Sequence, residues 1–134
     1  MKFILLFLIA VSFQAHARDM LSLTLEEFYL IEENQKIYEA LLNSGQIDKT
    51  REMYKSVCLN KAQNDEDKNK CNCAAQIIAK ADGKMLVYDS VMAYKSFEAK
   101  VEAKKAGNEQ EYQRLNDLDS KRKGLSRLIE AECN

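Results

Sequence analysis

CNCAAQIIAKADGKMLVYDSVM, residues 71–92, decides the fold. Ala74, Ile77, Ile78, Ala81, Met85, Tyr88 and Met92 recur every three or four positions, the spacing of one face of an α-helix and not the alternation of a strand. The phase carries straight through Asp82-Gly83. It therefore predicts one continuous or kinked helix from about Asn72 to Ala106, with a turn at Asp82-Gly83 as the alternative.

The same periodicity extends outward from this segment. Downstream, Gly107 supplies a stop, and Asn108-Glu109-Gln110-Glu111 has the form of a helix start. A final helix then places Tyr112, Leu115, Leu118, Leu125, Leu128 and Ile129 inward. Upstream, QNDEDKNK (residues 63–70) has no apolar side chain and reads as a solvated loop. Before it, a helix from about Asp48 to Ala62 turns Met53, Tyr54, Val57 and Cys58 inward. Asn43-Ser44-Gly45 closes an earlier helix with the apolar stripe Phe28, Ile31, Tyr38 and Leu41/Leu42. That helix opens on Thr24-Leu25-Glu26-Glu27, a capping box in which the Thr24 hydroxyl and Glu27 carboxylate satisfy each other's free N–H groups, with Leu23 and Phe28 as its hydrophobic staple. No strand pattern occurs anywhere. The expected fold is an all-α bundle of four or five helices in one domain, residues 18–134.

Residues 1–17 have a different character. Lys2 precedes the unbroken apolar run Phe3–Val11, and Ala15-His16-Ala17 is a small-x-small cleavage site, the pattern of a cleaved export signal. The run is too short for a membrane span, which needs roughly 18–20 apolar residues. Export implies a periplasmic or secreted bacterial protein in an oxidising compartment. Cleavage removes Lys2 alone among the charged residues, leaving nineteen cations against twenty-one carboxylates, a net charge of −2. With no basic excess, nucleic acid is not an expected partner, and neither is a membrane span.

In an exported domain the four cysteines, Cys58, Cys71, Cys73 and Cys133, read as two structural disulfides. Bridging Cys71 to Cys73 would close a strained three-residue ring. A helical hairpin about the 63–70 loop sets Cys58 opposite residue 73, which favours Cys58–Cys73 with Cys71–Cys133. Cys58–Cys71 with Cys73–Cys133 is the close alternative.

Cleavage also removes His16, the only histidine. Ser-His-Asp and Cys-His catalysis and histidine metal sites then fall away, and the isolated glycines build no phosphate loop. No catalytic, cofactor-binding or metal residues are expected. Paired carboxylates alone could still hydrolyse a glycan. The neighbours Glu26/Glu27 and Glu32/Glu33 are available, but adjacent helical side chains diverge by about 100° and read better as solvated faces. Of the six tyrosines, Tyr38, Tyr88 and Tyr112 fall in the core stripes, whereas Tyr29 and Tyr94 are candidates for the surface.

From Cys58 onward the sequence resembles the LprI-like lysozyme-inhibitor family. The resemblance rests on Cys58-Leu59-Asn60-Lys61-Ala62-Gln63, Cys73-Ala74-Ala75-Gln76, Ala81-Asp82, Tyr88 and the ending Glu130-Ala131-Glu132-Cys133. It departs at Leu86, where the family has Asn, in lacking a Gln-Arg-x-Trp stretch, and in the extra Cys71. The resemblance implies a small helical periplasmic protein that binds a cell-wall hydrolase. The expected function is thus a non-enzymatic binding protein without cofactor, an inhibitor or immunity protein against a cell-wall hydrolase or delivered toxin. A carboxylate-dependent glycan hydrolase and an envelope stress or chaperone-like factor are the alternatives, and a homodimer is compatible with the pattern.

Overall fold

The computed structural model describes residues 20–134. The signal-like segment 1–17 and its cleavage site lie outside the described residues. Seven helices follow one another with short connections: α1 (Leu25–Tyr29), α2 (Glu32–Asn43), α3 (Gln46–Lys61), α4 (Asp65–Lys80), α5 (Gly83–Lys105), α6 (Glu109–Lys121) and α7 (Leu125–Cys133). Over the described residues the fold is all-α, as expected, but with these seven helices rather than four or five. Three expected helices are each cut in two, and each cut has a local cause.

The first cut falls at Leu30-Ile31. The capping box forms: Glu27 N–H donates to the Thr24 hydroxyl at 3.2 Å, and Thr24 N–H donates to the Glu27 carboxylate at 2.8 Å. The helix then ends after one turn, because side chains from the next helix take over its last carbonyls. Asn34 Nδ2 donates to Phe28 O at 2.9 Å, and Gln35 Nε2 donates to Tyr29 O at 2.6 Å. Asn34 is buried to do so, which satisfies groups that a helix end otherwise leaves orphaned.

The second cut is the turn at Ala81-Asp82, the alternative to a continuous helix. Both residues are extended, and the Asp82 carboxylate accepts from Lys84 N–H at 3.0 Å to cap α5. The third lies at Arg122–Gly124. Here Asp89 of α5 reaches across and accepts the Leu125 N–H that starts α7.

Residues 63–70 are not the expected loop. Asn64 caps α4 by accepting from Asp67 N–H at 2.8 Å, and Asp65, Glu66 and Asp67 fill its first turn, where carboxylates offset the helix dipole. The polar run is therefore a solvent-facing helix start, and α4 begins seven residues before Asn72. The turn between α3 and α4 is correspondingly tight. That shift moves the residue opposite Cys58 from 73 to 71. The disulfides are Cys58–Cys71 and Cys73–Cys133, and the favoured pairing of Cys58–Cys73 with Cys71–Cys133 is corrected. Residues two apart on a helix diverge by about 200°, so Cys71 faces α3 and Cys73 faces α7. Arg51 Nη2 donates to Ala81 O at 2.6 Å and ties the other end of the antiparallel α3–α4 pair.

Helix α5, 23 residues and about 34 Å long, is the spine. Toward its middle and C-terminal half it buries Tyr88, Met92 and Ala103 against Leu21, Phe28, Tyr29 and Leu115 of the N-terminal segment, α1 and α6. Its N-terminal turns present Leu86 and Val87 to Ile47, Ile78 and Leu125 of α3, α4 and α7. Phe28 packs edge-on against both Tyr29 and Tyr88, with ring centroids 5.0 and 5.4 Å apart, the favoured aromatic geometry. Tyr29, a candidate for the surface, is buried, and its hydroxyl donates to Lys84 O at 2.8 Å. That burial, together with nearby Tyr38 and Asp82, pushes the Tyr29 phenol far up.

Candidate functional site

The carboxylate pairs do not form a site. Glu26, Glu27, Glu32 and Glu33 are all exposed. Glu27 is committed to the capping box, and Glu32 pairs with Lys36 at 2.6 Å on an exposed face of α2. All four cysteines are consumed in disulfides. Ile31, Leu42, Met53, Val57 and Leu128, expected to point inward, are exposed; Ile31 stands at the first cut, whereas Met53 and Val57 lie within the uncut α3, which packs inward through Ile47 and Tyr54 instead.

Two surfaces remain with shape and chemistry. The first runs along α5. Val87, Ser90, Tyr94, Phe97 and Val101 follow one another at alternating steps of three and four, the spacing of a helix-packing seam. At its N-terminal end the seam lines an apolar groove of about 150 Å³ with Leu41, Ile47 and Leu86. Beyond the groove, Tyr94 and Phe97 are 60% and 64% exposed among the described residues. The Glu98 carboxylate, hydrogen-bonded to the Tyr94 hydroxyl, raises that phenol further above its ordinary value. On α3, Gln46 and Thr50 line the same groove, and Met53 and Val57 continue their face in solvent.

The second is a pocket of about 580 Å³ between the N-terminal segment, the start of α5 and the end of α6. Leu23, Leu25, Met85 and Leu118 form its apolar floor, each only partly buried. Tyr88 closes the bottom and donates its hydroxyl to Leu23 O at 2.6 Å. Lys121, Arg122 and Lys123 stand on one lip and Glu26 on the other. Sequence reading passed over this triplet because charge balance was judged along the whole chain. Three consecutive cations at 121–123 were the available signal.

Polar clamps hold both surfaces. Burial alone would raise the Asp119 carboxyl. The Lys100 ammonium at 2.5 Å and the Ser96 hydroxyl at 2.7 Å outweigh it and hold that carboxyl low. Arg122 Nη1 lies 2.9 Å from the other oxygen of Asp119, joining the α6 terminus to α5. Asp89 behaves oppositely: burial raises its carboxyl, against the Leu125 N–H and Arg122, which favour the ionised form.

No family model matches the chain, and no curated protein or solved structure is significantly similar to it.

Proposed function

We propose that this chain is an exported, non-enzymatic binding protein of the bacterial envelope that grips a protein partner, a cell-wall hydrolase or delivered toxin, along the exposed seam of α5. One observation carries the reading. Tyr94 and Phe97, two bulky aromatic side chains, stand more than half exposed three residues apart on the longest of the described helices, and neighbouring exposed apolar side chains are the material of contact sites. Aromatic anchors on a rigid element dominate interface energetics because they bring large apolar area at little entropic cost. The regular three-four spacing suits a partner helix laid along the seam.

Other features support the setting. The sequence at 1–17 has the form of an export signal, and Cys58–Cys71 and Cys73–Cys133 are bonds that persist in oxidising compartments. No helix among the described residues is long and apolar enough to cross a membrane. The partial resemblance to LprI-like lysozyme inhibitors points to a hydrolase as the partner. The test is capture of partners from envelope extract on oxidised protein, paired with a lysis assay of the captured hydrolase. Wild-type protein should retain a partner and slow lysis, and Tyr94→Ala with Phe97→Ala should release it. Equal capture by the double variant would end the assignment to α5; no partner and no change in lysis would end the inhibitor reading.

A further inference from the structure

The pocket between the N-terminal segment, α5 and α6 has a combination that the α5 seam lacks: an apolar floor and a cationic lip. We infer that it binds a small amphipathic anion, an acyl or aryl chain ending in a single carboxylate or phosphate. Its volume of about 580 Å³ lies within the ~300–1,000 Å³ typical of small-molecule sites. The floor side chains Leu23, Leu25, Met85 and Leu118 are only partly buried by the protein itself, so a bound chain would complete their removal from water. Met85 adds a flexible, polarizable side chain that adapts to chains of different shape.

The lip supplies the selectivity. Arg122 is already engaged by Asp119 and by the Leu21 carbonyl, toward which Nη2 points at 3.4 Å. It is a fixed positive wall. Lys121 pairs only with exposed Asp117, at 2.7 Å, an interaction worth about 0–1 kcal/mol and easily exchanged. Lys123 has no ion-pair or hydrogen-bond partner among the described residues. Two lysines free to turn toward a head group, with Glu26 opposite them, suit one negative charge and oppose a polyanion. Tyr88 is excluded as the head-group donor, because its hydroxyl is spent on Leu23 O.

This site is separate from the α5 seam, and neither Lys121 nor Lys123 touches that seam, so the two readings fail independently. The test is calorimetric titration of the oxidised protein with monomeric dodecanoate, dodecyl phosphate and dodecanol, and with phosphatidylglycerol vesicles. Saturable one-to-one binding of either anion is expected, weaker for dodecanol, with the preferred head group identifying the ligand class. Lys121→Glu with Lys123→Glu should weaken binding about tenfold, with an unchanged circular dichroism spectrum, and added salt should weaken it in the wild type. Equal binding of dodecanol, an unaffected double variant, or binding to vesicles alone would overturn the inference.

Discussion

Replacing Gly124 by alanine tests the joint that starts α7. The backbone there is extended, φ −137° and ψ −174°, a conformation that alanine adopts freely, so no backbone strain opposes the change. A Cβ at this position would sit 2.3 Å from Asp89 Oδ1 and 2.9 Å from Cγ and Oδ2. The whole carboxylate must therefore move, and Asp is too short to bend only at its tip. Moving it takes the cap from Leu125 N–H, a loss of about 0.5–2 kcal/mol, and leaves a half-buried carboxylate short of a donor, about 1–3 kcal/mol. Alanine recovers about 0.4–1 kcal/mol by restricting the unfolded chain. The net expectation is a loss of about 0.5–4.5 kcal/mol, read by urea denaturation followed by helical circular dichroism as a midpoint lowered by about 1 M for every 1–3 kcal/mol lost. Gly83→Ala is the control, since its Cβ meets Ile47 and Tyr38 at an ordinary 3.4 Å, and it should be nearly neutral. In the Gly124→Ala, Asp89→Ala double variant the steric part disappears, so the two losses should be less than additive. A neutral or stabilising Gly124→Ala would refute the account of how α6 and α7 separate.

Peptide mapping under non-reducing conditions should recover Cys58 with Cys71 and Cys73 with Cys133. In the chain-entropy model, loops of 13 and 60 residues make these links worth about 3 and 4 kcal/mol, so the Cys73→Ser, Cys133→Ser pair should lower stability more than its counterpart. Asp119 has a folded carboxyl value below its ordinary 3.8, so its contribution is present above that pH and is lost as acid is added; Asp119→Asn should flatten the acid limb of a stability–pH curve. Asp89 is raised above 3.8, so its ionisation costs stability as pH rises from there, and Asp89→Asn should remove that decline. Tyr94→Ala and Phe97→Ala should each change stability by less than about 0.5 kcal/mol while weakening partner capture.

Helix starts were legible because they are local chemistry. Thr24 with Glu27, Asn108 with Glu111, and the stop at Gly107, whose φ is +65°, depend on neighbours within three or four positions. The break at Arg122–Gly124 was not, because the carboxylate that makes it comes from elsewhere in the chain. Nothing near Gly124 announces Asp89, 35 residues earlier. The stripe through Ala81-Asp82 kept its phase because Met85 packs against both cores, joining Ile77, Ile78 and Ala81 of the one to Tyr88 and Met92 of the other, so periodicity could not report the turn between α4 and α5. Residues 63–70 were misread because absence of apolar side chains marks exposure, which a helix start on the surface shares with a loop. The lysine-lined pocket was hidden for a related reason: its floor joins residues 23 and 25 to 85 and 118, and only the fold brings them together.

Helix α4 places two cysteines one residue apart, each destined for a different partner. Cys58 lies 13 residues from its partner Cys71 and only 15 from Cys73, whereas Cys73 pairs with Cys133 across 60 residues, so Cys58 has two thiols close by in sequence. The acidic first turn of α4 and its Asn64 cap place both cysteines inside the helix, where Cys71 faces α3 and Cys73 faces α7. The charged run at 63–70 thus bears on the disulfide pairing as well as on solvation, because it starts the helix that points Cys71 and Cys73 to different neighbours.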